Sequence, residues 1–507
     1  MEPRRITLEG HGVTIADVVA VARGEARVVL GDDARSRVVA ARAVVDRLAA
    51  SDVPFYGVNT ALGANTGNRI PPDELVAYQE RAVLARAVGI GPRFSTDVVR
   101  AIMFTRAAGM AVGGSGVSPG VLEALIAMLN ARVHPIVPAI GSIGAADLAP
   151  LSHLALPLIG RGEAEYHGHI MSGAAALALA SVQPTALTGK DGLALISSNA
   201  ATVGHASLVI HDALAVLDAQ NVSAALSFEG FRANLSPLDP RVQTARPAPG
   251  QQAVAARLTQ LLADSALWRP GSARRIQDPL SFRCVTQVHG AALSTAWTAR
   301  DYIELELNSA AESPLVLIEP DEMLSNGNFH APGLAIAFDA FGLGLAQCSA
   351  LCAERCIKSM SPQFSGLPLQ LTRHGPAHSG FATIQKTLAA LHNRVRHAAN
   401  PACLDFLPVS EGVEDHAPMT ANVVAKTAAI VDDLRFLTAI EMLVAAQAID
   451  LRELDRNALG RGTRAAFEAV RREVAMLDGD RPLGPDIEIV ERSLRAGDFR
   501  VTCAIQQ

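Results

Sequence analysis

The sequence predicts a mainly α protein: a smaller mixed N-terminal head followed by a long bundle of helices. Three observations carry this. With 507 residues, 49% of them hydrophobic and 19% charged, the chain is globular and long enough for a deep core. Glycine and proline punctuate it to about residue 160, whereas Met419 to Leu459 contains neither. In that uninterrupted stretch Val423, Ile430, Leu434 and Leu437 fall on one helical stripe. A helix of that length would run about 60 Å at ~1.5 Å per residue.

Taken in order, "RITLEGHGVTIADVV" reads as a short hairpin running into a helix. The glycine-rich "GMAVGGSGVSPG" lacks the Gly-Lys-Ser/Thr of a phosphate loop and reads as a flexible segment before a helix. That helix is "SPGVLEALIAMLNARV", with Ser118 as N-cap and Pro119 at the first helical position. "RGEAEYHGHIMS" alternates around a turn and predicts a small hairpin. The uncharged stretch from Ile170 is alanine, glycine, serine and proline, too weakly apolar for a membrane span. "RPAPGQQ" at 246–252 reads as a loop or linker, and 284–310 and 334–359 read mainly as helix. The expected division is a mixed domain over 1–195 carrying active-site loops and a helical-bundle domain over 196–507. Helices this long bury their faces against neighbours, often in other subunits.

Composition excludes some functions. A net charge of -6, from 44 basic and 50 acidic residues, provides no nucleic-acid footprint. Cys348, Cys352 and Cys356 recur every four residues, which stacks them on one helix face as small apolar packing in a reducing compartment. His374, His378, His392 and His397 lack metal-ligand spacing. The amino-terminal residues carry no apolar signal-peptide core. A cytoplasmic protein with no membrane partner is expected.

Seven segments carry more specific information: "FYGVNTALG", "GSIGAADLAPLSH", "GKDGLAL", "QDPLSFRCVTQVHG", "NGNFH", "HSGF" and "EDHAPM". In this order they resemble the aromatic amino acid lyase family, which includes the histidine, phenylalanine and tyrosine ammonia-lyases, over nearly the whole chain. The resemblance is greatest to the histidine enzymes. It implies the histidine ammonia-lyase-like fold and a homotetramer whose active sites are built from loops of three subunits. In the family, the segment matching Gly141–Leu151 reads G-S-V-G-A-S-G-D-L-A-P-L. Its Ala-Ser-Gly cyclises into a methylidene-imidazolone, an electrophile that captures the substrate amine. Here Gly144 is followed by Ala145, Ala146 and Asp147: the segment is one residue short, and alanine has no β-hydroxyl to lose. Other departures accompany this one. The family's Asn-Gly-Thr is Ser197-Ser198-Asn199, its Tyr in D-P-Y-S-x-R is Leu280, and its Asn-Gln before Glu-Asp-His is Gly412-Val413.

The electrophile needs an amine with a free lone pair. A trimethylated nitrogen has none, and it departs as a neutral amine without help. The chain therefore resembles the family's ergothionase branch. This implies elimination of trimethylamine from a histidine-derived betaine, ergothioneine foremost, with no methylidene-imidazolone cofactor. Hercynine remains open as substrate. An ordinary histidine or other aromatic ammonia-lyase is the alternative, and an inactive ligand-binding homologue a second.

The resemblance also assigns residues. Tyr56 matches the base that removes the β-proton; a phenol in that role needs positive neighbours or hydrogen bonds to its phenolate. Asn59 lies in the same segment, on the substrate side. Arg283 matches the arginine that grips the substrate carboxylate, a task its planar fork suits; an intersubunit salt bridge is the alternative. Asn328 matches a second carboxylate contact, with a plain turn asparagine as alternative, and Phe329 packs the site. Ser197 stands where the family supports its electrophile and is read as substrate-binding. Glu414 matches the carboxylate on the amino-acid side of the site. Glu411 is an added acid that either neutralises the quaternary ammonium or is a solvated surface group; aromatic cage residues are scarce in this chain. Arg86 replaces a ring-selecting histidine and either reaches a thione sulfur or forms an ordinary ion pair. Lys386 either polarises the ring as a catalytic group or lies outside the cavity.

Overall fold

The computed structural model describes residues 4–51, 53–62 and 68–499. The protein is mainly α, and the chain divides into two compact units, each assembled from three segments: Met1–His211, Ala299–Ala337 and Pro401–Ala425 in the first, Asp212–Thr298, Phe338–Asn400 and Lys426–Gln507 in the second. A single break at 195/196 does not describe this division. Four of the five boundaries fall inside long helices, Ala200–Phe231, Val285–Leu307, Pro332–Ser359 and Thr420–Leu451, and the fifth, after Asn400, follows the helix Ile384–Ala398, so the chain passes repeatedly from one unit to the other.

The first unit holds the short strands. Arg4–Leu8 pairs with Ala26–Leu30 in parallel, Arg4 opposite Ala26 and Leu8 opposite Leu30. The helix Ile15–Ala22 connects them and is closed at its start by a capping box between Thr14 and Asp17. The expected hairpin is therefore a strand–helix–strand crossover, because Val18–Ala22 is buried and packs as a helix between the strands. The second expected hairpin is present, with Glu163–Tyr166 antiparallel to His169–Ser172 and His134–Pro135 added on its other edge. Pro119 opens the helix Pro119–Asn130 as predicted. Ser118 stands at the N-cap as predicted, but its hydroxyl donates to Asp191 at 3.0 Å and makes no capping hydrogen bond to its own helix.

In the second unit the three cysteines of the helix Pro332–Ser359 are fully buried, as the four-residue spacing predicts. Across them runs a buried ion pair: Glu441 accepts from Arg355 at 2.5 and 2.9 Å and from Ser223 and Ser227 at 2.8 Å each. Val423, Ile430, Leu434 and Leu437 have no exposed surface, each contributing about 1.5–3 kcal/mol of burial. The expected linker at 246–252 is shorter, since a helix starts at Pro249. Gly250 and Gly290 let two helices touch there: a Cβ on Gly250 would lie 2.1 Å from the Gly290 carbonyl oxygen. Two stretches, Asp191–Phe231 and Pro332–Ser359, have the length and hydropathy of a membrane span, and 94% and 56% of their apolar windows are buried inside the protein.

Candidate active site

The degenerate segment Gly141–His153 is the hub of the first unit. Gly144 turns the chain at φ +78, where a Cβ would lie 2.8 Å from the Thr420 backbone nitrogen. Ala146 follows at φ +60, a left-handed conformation that costs a non-glycine residue about 1–2 kcal/mol. Three other segments hold this turn. The Ala146 N–H donates to the Phe329 carbonyl at 3.3 Å, the Asp147 N–H to the Ser198 carbonyl at 2.8 Å, and the Met419 N–H to the Ile143 carbonyl at 2.9 Å. Ala145 also forms an antiparallel bridge with His330. The shortened motif, "NGNFH", the Ser197–Asn199 segment and the end of "EDHAPM" therefore converge, as their shared resemblance implies.

Asp147 anchors the cluster. Its fully buried carboxylate accepts from the Ser142 hydroxyl at 2.6 Å and from the Thr202 N–H and hydroxyl at 2.7 and 2.8 Å. Burial pushes its pKa up, and these hydrogen bonds oppose the rise. Behind the Ser197–Asn199 segment lies a second polar group that sequence reasoning missed. Arg106 pairs with Glu312 at 2.9 Å, both side chains 1% exposed, and also donates to the Ala194 carbonyl. Lys190, fully buried beside them, donates to the Ser115 carbonyl at 2.7 Å, and burial lowers its pKa to about 8. A lone arginine inside the apolar run "AIMFTRAAGMA" was the available signal for such a pair. Thr105, Arg106, Asn199 and Glu306 line a cavity of about 20 Å³, room for one water.

The remaining predicted residues take the following places. Tyr56 is half-buried on the loop after the helix Asp32–Ala49 and packs, with Tyr78, against Leu62, Ala82 and Leu193. Asn59 is buried, with both ends of its amide used by that loop: it accepts from the Phe55 N–H at 2.7 Å and donates to the Val53 carbonyl at 2.8 Å. Asn59 thus shapes the Tyr56 loop. Arg86 donates to the Ala82 carbonyl at 3.1 Å, at the end of the helix Leu75–Leu84, and no carboxylate partner accompanies it among the described ion pairs. Ser197 is buried at the end of the helix Asp191–Ile196. Asn328 is exposed, in a turn where its N–H donates to the Asn326 side chain at 2.8 Å. Glu414 accepts from the Ser410 hydroxyl at 2.9 Å, and Glu411 is exposed at φ +55.

Arg283 and Lys386 belong to the second unit. Arg283 ends the short helix Leu280–Arg283, half-buried, with the Gln277 carboxamide against its guanidinium. Asp278 lies nearby; burial raises its pKa, and Arg275 and Arg283 pull it down. Lys386 is exposed on the first turn of the helix Ile384–Ala398. Among the described residues no group of three or more metal-ligating side chains forms.

This architecture, with its convergent loops around a degenerate Ala-Ala-Asp turn, is that of a carbon–nitrogen lyase. The chain belongs to the aromatic amino acid lyase family, whose model matches residues 13–472. Among its relatives, histidine ammonia-lyase of Symbiobacterium thermophilum is 40% identical over 97% of this chain and 96% of that protein. Histidine ammonia-lyase of Stigmatella aurantiaca is 38% identical over 98% of both. Among solved structures, the ergothioneine-degrading ergothionase of Treponema denticola, in complex with desmethyl-ergothioneine sulfonic acid, superimposes with a TM-score of 0.94 at 30% identity, over 98% of this chain and 100% of that one. Histidine ammonia-lyase from Trypanosoma cruzi gives 0.90, also at 30% identity, over 98% and 94%.

Proposed function

We propose that this chain eliminates trimethylamine from a histidine-derived betaine, ergothioneine foremost, to give thiourocanate. The observation that carries the proposal is the Ala145-Ala146-Asp147 turn. A methylidene-imidazolone needs a β-hydroxyl at its central residue, and Ala146 offers a methyl group. It also needs the amide nitrogen two residues after the first alanine to attack that alanine's carbonyl carbon. Here that nitrogen belongs to Asp147, and its N–H is committed to Ser198 at 2.8 Å. The residues present do not fit the group, so no step runs through it.

The reaction then depends on the chain's own side chains and on the fixed charge of the substrate. Tyr56, as phenolate, takes the β-proton. The electron pair of that C–H bond becomes the Cα=Cβ bond, and the C–N pair leaves on nitrogen as neutral trimethylamine. Arg283 and Asn328 hold the carboxylate, Phe329 packs the imidazole side and Ser197 lines the pocket. Glu414 and Glu411 face the quaternary ammonium, which offers no hydrogen bond and is held by charge and π-faces. Arg86 faces the sulfur and Lys386 the ring. The site is completed in a homotetramer and works in the cytoplasm. The solved ergothionase supports this reading. The names of the curated relatives at 35–40% identity favour a second one, histidine ammonia-lyase.

A direct assay separates them. Purified protein is offered ergothioneine, hercynine and histidine separately, and trimethylamine, ammonia and the absorbance of the unsaturated acid are followed. Trimethylamine from a betaine is expected. Ammonia from histidine at a lyase-like rate, or an intact mass showing loss of water at the motif, would overturn the proposal; no turnover of any substrate would favour an inactive binding homologue.

A further inference from the structure

We propose that the hydrogen bond between His330 and His416 is a clasp that sets the Asn328–Phe329 turn against the Glu414 turn, making both histidines positioning residues of the reaction. This rests on the reading of Asn328, Phe329 and Glu414 as substrate contacts.

The geometry is specific. His330 Nε2 lies 2.8 Å from His416 Nδ1, across 86 positions of sequence. The ring planes are tilted by 53° with centroids 5.0 Å apart, so the contact is one of nitrogen to nitrogen and not a stack. One imidazole donates and the other accepts, which requires at least one neutral ring.

Each histidine is rigidly tied to the substrate-side residues next to it. His330 follows Phe329 directly. Its N–H donates to the Gly327 carbonyl at 2.9 Å, and its backbone bridges to Ala145. His416 is two residues beyond Glu414, whose backbone pairs with Val409 and whose carboxylate takes the Ser410 hydroxyl. The Phe406 ring also packs against that of His416, with centroids 4.9 Å apart. Residues 407–409, 411–413 and 415 are exposed, so little apolar packing fixes this loop. A side-chain bond to a rigid turn supplies what packing does not.

The test is a set of single and double variants of the full chain, read by steady-state kinetics of trimethylamine release and by equilibrium binding of ergothioneine. His330→Leu and His416→Leu should each raise KM and Kd about tenfold while kcat stays within about threefold. The double variant should be no worse than the worse single, because both remove the same bond. An asparagine amide reaches the place of Nδ1 and a glutamine amide that of Nε2, so His416→Asn and His330→Gln should restore most of the affinity. Multiplied effects in the double variant, asparagine and glutamine no better than leucine, or unchanged KM and Kd would overturn the clasp. If the wild type releases ammonia from histidine, the substrate reading fails by itself. The same variants are then read with histidine, where the clasp predicts the same pattern.

Discussion

Thr202 holds Asp147 twice, with its backbone N–H at 2.7 Å and its hydroxyl at 2.8 Å. Together with Ser142 these bonds fix a fully buried carboxyl directly after the shortened turn. Asp147→Ala leaves the Thr202 N–H without its acceptor and should cost about 1–3 kcal/mol, seen as a lower Tm. Burial raises the folded-state pKa of Asp147, so the native state holds the proton more tightly than the unfolded chain. Its contribution to stability is full below the ordinary carboxylate value and is lost as pH rises through the raised one. Melts across that range should show the advantage of wild type over Asp147→Ala shrinking with rising pH.

Tyr56→Phe should lower kcat by about 10²–10⁴-fold and leave equilibrium binding of ergothioneine nearly unchanged. Unchanged turnover would remove Tyr56 as the base.

Arg106 and Glu312 should behave as a unit. Arg106→Met alone leaves a buried carboxylate unpaired and should cost about 3–5 kcal/mol. Adding Glu312→Leu should recover most of that loss in thermal melts. An additive double variant would contradict a pairwise role.

Burial lowers the pKa of five histidines among the described residues, His153 and His330 and, further, His134 and His205, each to about 4, and His289, well below its ordinary value. The folded-state values lie under the unfolded one, so stability is full above about pH 6.5 and falls as pH drops toward 4. In that window His205→Gln should remove one proton of uptake on unfolding, or about 1.4 kcal/mol per pH unit of slope. Unfolding followed at pH 7.5 and 5.5 checks this.

The helix Thr420–Leu451 was legible because its apolar period continues without glycine or proline, whereas Ala200–Phe231, which contains Gly204 and Gly230, was not anticipated. The end of Thr420–Leu451 was less legible than its body. The stretch free of glycine and proline continues to Leu459, but the helix stops at Leu451. There Arg452 turns its guanidinium to the carbonyls of Gly230 and Ser365, and Glu453 takes a positive φ. Those acceptors are distant in sequence, so no local signal marks the stop. The parallel pairing of the first two strands was hidden for the same reason, since a short strand does not encode its partner.

At the site, motif resemblance identified that the shortened turn, the Ser197–Asn199 segment, "NGNFH" and "EDHAPM" meet, but not what each side chain does there. Asn59 is a loop staple, which its neighbours at positions 53 and 55 reveal only in three dimensions. His330 and His416 sat in plain view inside "NGNFH" and "EDHAPM". Their significance is their 2.8 Å separation, which no linear spacing expresses.

The turn at Ala146 has one more consequence, for mutational history. A point change to serine would return a hydroxyl, but the missing glycine would still be missing, and Asp147 would still occupy the place of the nucleophilic nitrogen. Its carboxylate is fastened to Ser142 and Thr202 and cannot yield that place without dismantling the hub. Converting the turn to the Ala-Ser-Gly-Asp pattern it resembles would take an inserted codon together with a matching substitution, neither sufficient alone. The shortened turn therefore stands two coordinated changes away from that pattern.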